Sequence, residues 1–231
     1  ANFGQEREMA MATRASNSLT VQAYEAIKKS IIDNQLQQGD FVLINALAKQ
    51  LGMSRTPVRE AIKILDKEGL LEVRNGIGVF VRYIPNKEIY DLFEMRALLE
   101  CTAARSALRH ISMAEVKQLK AYWQEMQERL DRGEQVTEEE ISGGYDEFHS
   151  LLVERCENKV LVKMDHDIHL QILRLRNIFV SILDDAQETV GQHLAMIDCI
   201  EHRDVERLVK QLELHMEKSV DYIVKTRRFF S

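Results

Sequence analysis

The sequence of 231 residues predicts a mainly α protein in two parts, a front part of three helices and one hairpin and a rear part that is all helix. Three observations lead there. Proline occurs only at Pro57 and Pro85 and glycine at ten positions, which favours long helices over many-turned sheets. Apolar residues recur at helical spacing along most of the chain, and strand-like runs are confined to Leu71-Glu72-Val73 and Val79-Phe80-Val81. Charge divides at the same place: residues 14–85 hold 10 Lys/Arg against 7 Asp/Glu, whereas residues 86–231 hold 20 against 28. The net charge of −6 therefore hides a mildly basic front part, which suits a protein whose front alone meets phosphate.

The first helix is expected over Thr20 to Asn34, with Val21, Tyr24, Ile27, Ile31 and Ile32 on its inner side, and Gln38-Gly39-Asp40 ends it. Helices Ile44 to Leu51 and Arg55 to Glu68 follow, joined by a tight turn at Gly52. Ser54 is expected to cap the latter by accepting a bond from an early backbone N–H, and Pro57 is tolerable only in a first turn. Val58, Ile62 and Leu65 mark its buried side, while Arg55 and Arg59, four apart, share a face. Gly69 stops it, and the two strands enclose Asn75-Gly76-Ile77-Gly78, a hairpin turn of permissive residues. Three helices and a hairpin make an N-terminal winged helix-turn-helix over residues 19–85, preceded by a polar tail, 1–18, expected to be disordered.

Pro85-Asn86 marks the boundary, and residues 86–231 read as a C-terminal all-helical antiparallel bundle. Asn86 can cap a helix reaching Arg109. Ser112 with Glu115 and Thr137 with Glu140 form capping boxes for the next two. Asn158 opens a helix reaching Ile182, Asp185 one ending near His202, and Asp204 the last, toward Thr226. No apolar run approaches the roughly 20 residues that span a bilayer, and residues 1–18 lack a signal-like apolar core, so a cytoplasmic protein with no membrane partner is expected. Cys101, Cys156 and Cys199 are odd in number, widely spaced and free of any CxxC pattern, which points to reduced thiols.

The chemistry of the front part is that of DNA recognition. An arginine can form two hydrogen bonds with a guanine edge or pair with phosphate. Ser54, Thr56 and the backbone amides at the helix start suit phosphate, because the helix dipole favours an anion there. Gly76 lets the hairpin backbone approach a minor groove closely, and Arg74 or Asn75 can reach into it.

The run Ser54-Arg55-Thr56-Pro57-Val58-Arg59-Glu60-Ala61, the Gly76-x-Gly78 wing and the run Phe93-Glu94-Met95-Arg96-Ala97-Leu98-Leu99-Glu100 resemble the GntR family of bacterial regulators, in its FadR-like subfamily with an FCD-type helical ligand-binding domain. The resemblance covers nearly the whole chain after Leu19. It implies a winged helix, an effector-binding and dimerisation domain over 86–231, and a homodimer on a palindromic operator. By that resemblance Arg55 and Arg59 match base- or phosphate-reading arginines, Gly76 the wing-tip glycine, and Asn45 a position where several members carry another DNA-contacting arginine.

If the helices before and after Asp204 form an antiparallel hairpin, His193 and His215 lie level, since 204 is their midpoint. His149 can complete three nitrogen ligands for zinc, nickel or another divalent metal. The resemblance supports this set, since metal-binding members place three histidines at matching positions and add an aspartate four residues before the first. Here that place holds Tyr145, and Asp146 follows; on a helix the two stand roughly −40° and +60° from His149. The expected ligands are thus Asp146, His149, His193 and His215. Arg96 and Arg176 match family positions near an effector cavity where an arginine could clamp a carboxylate beside the metal, with Tyr145 alongside and Arg174 as a rival. A buried ion pair of Arg96 with Glu100 is the alternative, and His166 and His169 are expected to be structural. The function expected is a ligand-responsive transcription regulator, a repressor sensing a small organic acid, and not an enzyme. The rivals are a constitutive DNA binder without effector and a helical-bundle metalloenzyme. The latter has poor support: Asp146 to His149 is the sole acidic-x-x-His spacing, and no nucleophile triad, phosphate-cradling loop or dinucleotide fingerprint is present.

Overall fold

The computed structural model describes residues 18–179 and 186–227. The expected tail, apart from Ser18, lies outside the described residues, as do Ile182 and Asp185 and the side chain of Arg176. The chain divides into two compact units, Ala1–Pro85 and Asn86–Ser231.

In the front unit, α1 spans 18–32, α2 Ile44–Gln50 and α3 Arg55–Lys67, followed by β1 Leu71–Arg74 and β2 Gly78–Val81. The strands pair antiparallel, Leu71 opposite Val81 and Arg74 opposite Gly78. Ile27 and Ile31 of α1, Val58, Ala61, Ile62 and Leu65 of α3, and Leu70, Leu71 and Ile84 close one core. Val21 does not join it: it is 58% exposed, and Ala23 begins the buried row at 23, 27 and 31. Ala23, Ile27 and Ile31 are four apart and so share one face of α1, from which Val21 is turned away. Tyr24 donates its hydroxyl hydrogen to the Glu68 carboxylate (2.9 Å to Oε2), tying α1 to the end of α3.

Ser54 holds the N-cap position, with φ −71° and ψ 166°, but its hydroxyl makes no cap bond. The sequence itself removes one of the two donors such a cap can use. A cap hydroxyl accepts from the N–H two or three residues on, and the third residue here is Pro57, which has none. In the rear unit the equivalent positions are Glu115 and Glu140, and there both capping boxes form.

The rear unit holds six helices among the described residues: α4 Asn86–Ala107, α5 Met113–Asp131, α6 Glu138–Glu154, α7 Lys159–Phe179, α8 Ala186–Glu201 and α9 Val205–Arg227. Asn86 is the first residue of α4 rather than its cap. The Asn158 side chain accepts from the Val160 and Leu161 N–H groups, and Asp204 from that of Arg207, so both open helices as capping residues. Successive helices alternate in direction. His215 pairs with Gln192 and Lys218 with Glu188, so α8 and α9 are antiparallel; Arg96 pairs with Tyr145 and Glu100 with His149, so α4 and α6, two steps apart, run parallel. Leu108, Leu119, Trp123, Phe148, Leu152, Ile197 and Leu212 pack one core, and Leu99, Ala103, Val153, Cys156 and Leu161 a smaller one. The mainly α, winged-helix-plus-bundle expectation is borne out. The three cysteines are free and buried. No described helix is long and apolar enough to cross a membrane.

The two capping boxes make the bundle acid-sensitive. Hydrogen bonds from the Ser112 N–H and hydroxyl, then from Arg155, hold the Glu115 carboxyl down at about 2; bonds from Arg129 and then from the Thr137 N–H hold Glu140 at about 2. Because both values lie below the ordinary 4.5, their stabilising contribution is complete above that pH and lost as pH falls from 4.5 toward 2. Melting temperature followed by circular dichroism should therefore fall across that window, and the fall should be shallower in the double variant Glu115→Gln, Glu140→Gln, which begins less stable.

Candidate nucleic-acid interface and metal centre

Gly52, at φ 63°, makes the turn between α2 and α3, and an added Cβ would strain that backbone although the space is open. The turn leaves Asn45, Ser54, Arg55, Thr56 and Arg59 all exposed while Val58 and Ile62 are buried beneath them. The first turn of α3 has no acidic residue and no side-chain cap, in contrast to α5 and α6, whose own glutamates fill that role. An open helix start with two exposed arginines is a site for an external anion.

The wing differs from its expectation in one respect. Arg74 is exposed, but its guanidinium forks onto Glu72, with both bonds at 3.0 Å, and lies over the Phe80 ring, 4.6 Å from the centroid. It reaches a groove only by giving up that pair. Asn75 and Gly76, the latter at φ 75°, form the exposed tip.

In the rear unit α6, α8 and α9 bring His149, His193 and His215 together. All three are buried, and their ligand atoms lie within 4.8 Å of one another. The levelling of His193 and His215 follows from the α8–α9 hairpin, whose turn is made by Arg203 at φ 56° just before Asp204; their ring centroids are 4.8 Å apart. Each imidazole has its Nδ1 committed to an oxygen acceptor: His149 to Glu100 Oε2 at 2.5 Å, His193 to the Thr189 carbonyl at 2.8 Å, and His215 to Gln192 Oε1 at 2.7 Å. An acceptor at Nδ1 fixes the tautomer with the proton there, so that Nε2 offers its lone pair. Three buried Nε2 atoms of this kind form the donor set a divalent metal such as zinc takes, and the residues fit such an ion.

Asp146 is not in this group. It is half-buried on the +60° side of His149, while Tyr145, 6% exposed, takes the inward −40° place. The Tyr145 ring stands 4.3, 5.3 and 5.5 Å from the centroids of His149, His193 and His215. The acid beside His149 is instead Glu100 of α4. Arg96 donates from Nε to Glu100 Oε1 at 2.6 Å and from NH1 to the Tyr145 hydroxyl at 2.6 Å, a buried relay that sets Glu100 and Tyr145 in place. Burial raises the Glu100 carboxyl and Arg96 opposes that rise; for Arg96, burial works against the charge, but Glu100 and Tyr145 outweigh it and its value is raised. The sequence offered no signal for Glu100 as a partner of His149, 49 residues away, nor for Thr189 and Gln192. It also did not single out Trp123, which lies face to face with His193 at 4.0 Å and 5°. Gly144 permits this approach, since a Cβ there would meet the Trp123 and Tyr122 rings at 3.1 and 2.6 Å.

A cavity of about 300 Å³ opens beside the triad, with His215, Tyr145, Thr189 and Gln192 in its wall and Lys218 and Lys225 among its charged groups. Arg96 is not in that wall, because its guanidinium is spent on Glu100 and Tyr145. Arg174 is fully buried in α7. His166 is exposed, His169 is half-buried, and neither joins the histidine group.

A reading helix with an open start, a wing and a separate helical unit with a cavity beside a buried histidine triad define a DNA-binding regulator with a sensing domain. The comparisons agree. Residues 19–81 match the bacterial regulatory proteins of the gntR family, and residues 91–218 match the FCD domain. The Nta operon transcriptional regulator of Aminobacter aminovorans is 31% identical over 184 residues, covering 79% of this chain and 83% of that protein. The HTH-type transcriptional repressor RspR of Escherichia coli is 21% identical over 207 residues, 90% of each. The solved structure of E. coli McbR/YncC superposes with a TM-score of 0.73 at 20% identity, covering 90% of this chain and 98% of that one, and shares the fold. The chain belongs to the GntR family of transcription regulators and carries its FCD domain.

Proposed function

We propose that this regulator is a homodimeric repressor of the cytoplasm, which grips a palindromic operator through Asn45, Ser54, Arg55, Thr56, Arg59 and the wing and answers to a small organic acid held beside a divalent metal. The observation that carries the sensing half is the triad itself: three buried imidazoles, each with an oxygen acceptor on Nδ1, beside a cavity walled by His215 and Tyr145. His149, His193 and His215 would hold the ion, zinc or nickel, and the ion would supply a Lewis-acidic point for an effector carboxylate. Tyr145 would contact that effector from the wall. Lys218 and Lys225, rather than Arg96, would meet a second anionic group, Lys218 giving up its pair with Glu188 and Lys225 its pair with Asp221. The cavity volume suits an acid of metabolite size.

Support for a second copy comes from the surface. Tyr90, Met95 and Leu98 of α4 and Val160 and Met164 of α7 are exposed large apolar side chains on two helices that pack together. A ligand shifts the operator equilibrium only by its differential affinity for the bound and released states. The reading is tested by metal analysis of the purified chain, then by DNA binding with zinc or nickel alone and with a panel of small di- and tricarboxylic acids. The expected outcome is one metal ion per chain and at least one acid that weakens operator binding only when metal is present. A chain that takes up neither metal, with operator affinity indifferent to every acid, would return it to the constitutive class.

A further inference from the structure

The wing tip carries a side chain that the fold does not use. Ile77 is 68% exposed, the equal of any large apolar residue among those described. It stands between Gly76 at φ 75° and Gly78 at φ 152°, and its N–H closes the turn onto the Arg74 carbonyl at 3.0 Å. The turn is braced from behind. Phe41 pairs with Phe80 through an isolated bridge and meets it edge-on at 5.2 Å, and its ring occupies the place of a Cβ on Gly78, 2.2 Å away. The sec-butyl group is thus held out on a fixed hairpin, and exposing it costs rather than adds stability.

The one cation of the tip is committed elsewhere, since Arg74 forks onto Glu72 and covers the Phe80 face. What the wing advances is Asn75, Gly76 and Ile77. In a winged helix whose reading helix takes the major groove, the tip meets a minor groove about 6 Å wide, which shows acceptors at A·T pairs and adds the guanine 2-amino group at G·C pairs. An apolar side chain can lie against deoxyribose walls and the adenine edge. It cannot satisfy the guanine amino group, whose hydration it would displace without giving a hydrogen bond in return.

We propose that Ile77 is a specificity-determining residue that enters the operator minor groove and selects A·T over G·C at the step it covers. Selection here is by shape and by the cost of an unsatisfied amino group, without the guanidinium insertion that narrow grooves usually attract.

The test starts from duplexes that the full chain selects out of a randomised pool. At each A·T pair flanking the half-site centre, G·C and inosine·C are substituted; inosine lacks the 2-amino group but keeps the major-groove face of guanine. For the native chain, G·C at the wing step should weaken binding about fivefold or more and inosine·C should restore it, as expected for a mismatch worth about 1 kcal/mol or above. Ile77→Ala should bind the A·T duplex several-fold more weakly and lose the G·C penalty. Its salt dependence should be unchanged, because an apolar group releases no counterions. A penalty that persists in Ile77→Ala, a penalty that inosine does not relieve, or a changed salt slope overturns the proposal. So does an altered sedimentation of the free protein with native discrimination, which would place Ile77 against a second chain.

Discussion

Arg59→Ala is expected to abolish specific operator binding while far-UV circular dichroism stays native. The arginine is exposed on α3 with Val58 and Ile62 buried beneath it, so its removal takes nothing from the core. A bidentate base contact contributes about 1–3 kcal/mol of discrimination, and the dimer on a palindrome proposed above would lose two of them, which puts the combined loss between about thirtyfold and more than ten-thousandfold. Gel-shift titration at fixed salt measures it, and the salt slope says which contact was lost. A phosphate-binding arginine lowers the slope by about one per site and weakens all sequences alike, whereas a base-reading arginine leaves the slope and relaxes specificity. Arg59→Lys distinguishes the fork from the charge, since lysine keeps the cation but loses the paired geometry. Affinity equal to that of the native chain at the same salt would remove α3 from the interface.

His193→Ala is expected to lose zinc or nickel binding by at least about a hundredfold, because even partners that only orient a ligand contribute tenfold to a hundredfold. Calorimetric titration of metal into the metal-free chain reads this directly. Heat stability offers a second readout. An ion that binds only the folded state adds about 2.7 kcal/mol when present at a hundred times its dissociation constant, so native Tm should rise with metal and that of the variant should stay flat. Gln192→Leu, which removes only the acceptor on His215 Nδ1, should fall between the two. If the native chain gains no stability from any divalent ion while remaining folded, the three histidines are a packed polar core and nothing more.

Most of the architecture was legible because it is written in local signals. The boxes Ser112 to Glu115 and Thr137 to Glu140 involve residues three apart, and both formed as read. His193 and His215 could be levelled because a helical hairpin obeys simple arithmetic about its turn. Two local inferences failed for reasons equally local. Ser54 has the residue type and backbone of a cap, but Pro57 takes away one of the two donors such a cap can use and no cap bond forms; Val21 matched the helical period, but Ala23 was the residue the packing admitted. The site was less legible where partners are distant. Nothing along the chain marks Glu100 as the acceptor for His149, because that pairing exists only once α4 and α6 run parallel. Asp146 stands one residue past the place the resemblance gives to an aspartate, yet 100° of helix rotation separates it from the place Tyr145 fills. Arg96 could be paired with Glu100 from spacing alone, but its bond to the Tyr145 hydroxyl needed the fold.

Trp123 is the sole tryptophan of the chain, wholly buried and stacked on His193. The protein therefore carries a single-site optical label, already installed face-on at the centre of its sensing unit. Emission from this one indole reports one environment instead of an average. A paramagnetic ion such as nickel or copper arriving at the neighbouring imidazole should darken it, and a filled-shell ion such as zinc should leave it bright. The fluorescence of unlabelled protein can then distinguish which ion has arrived.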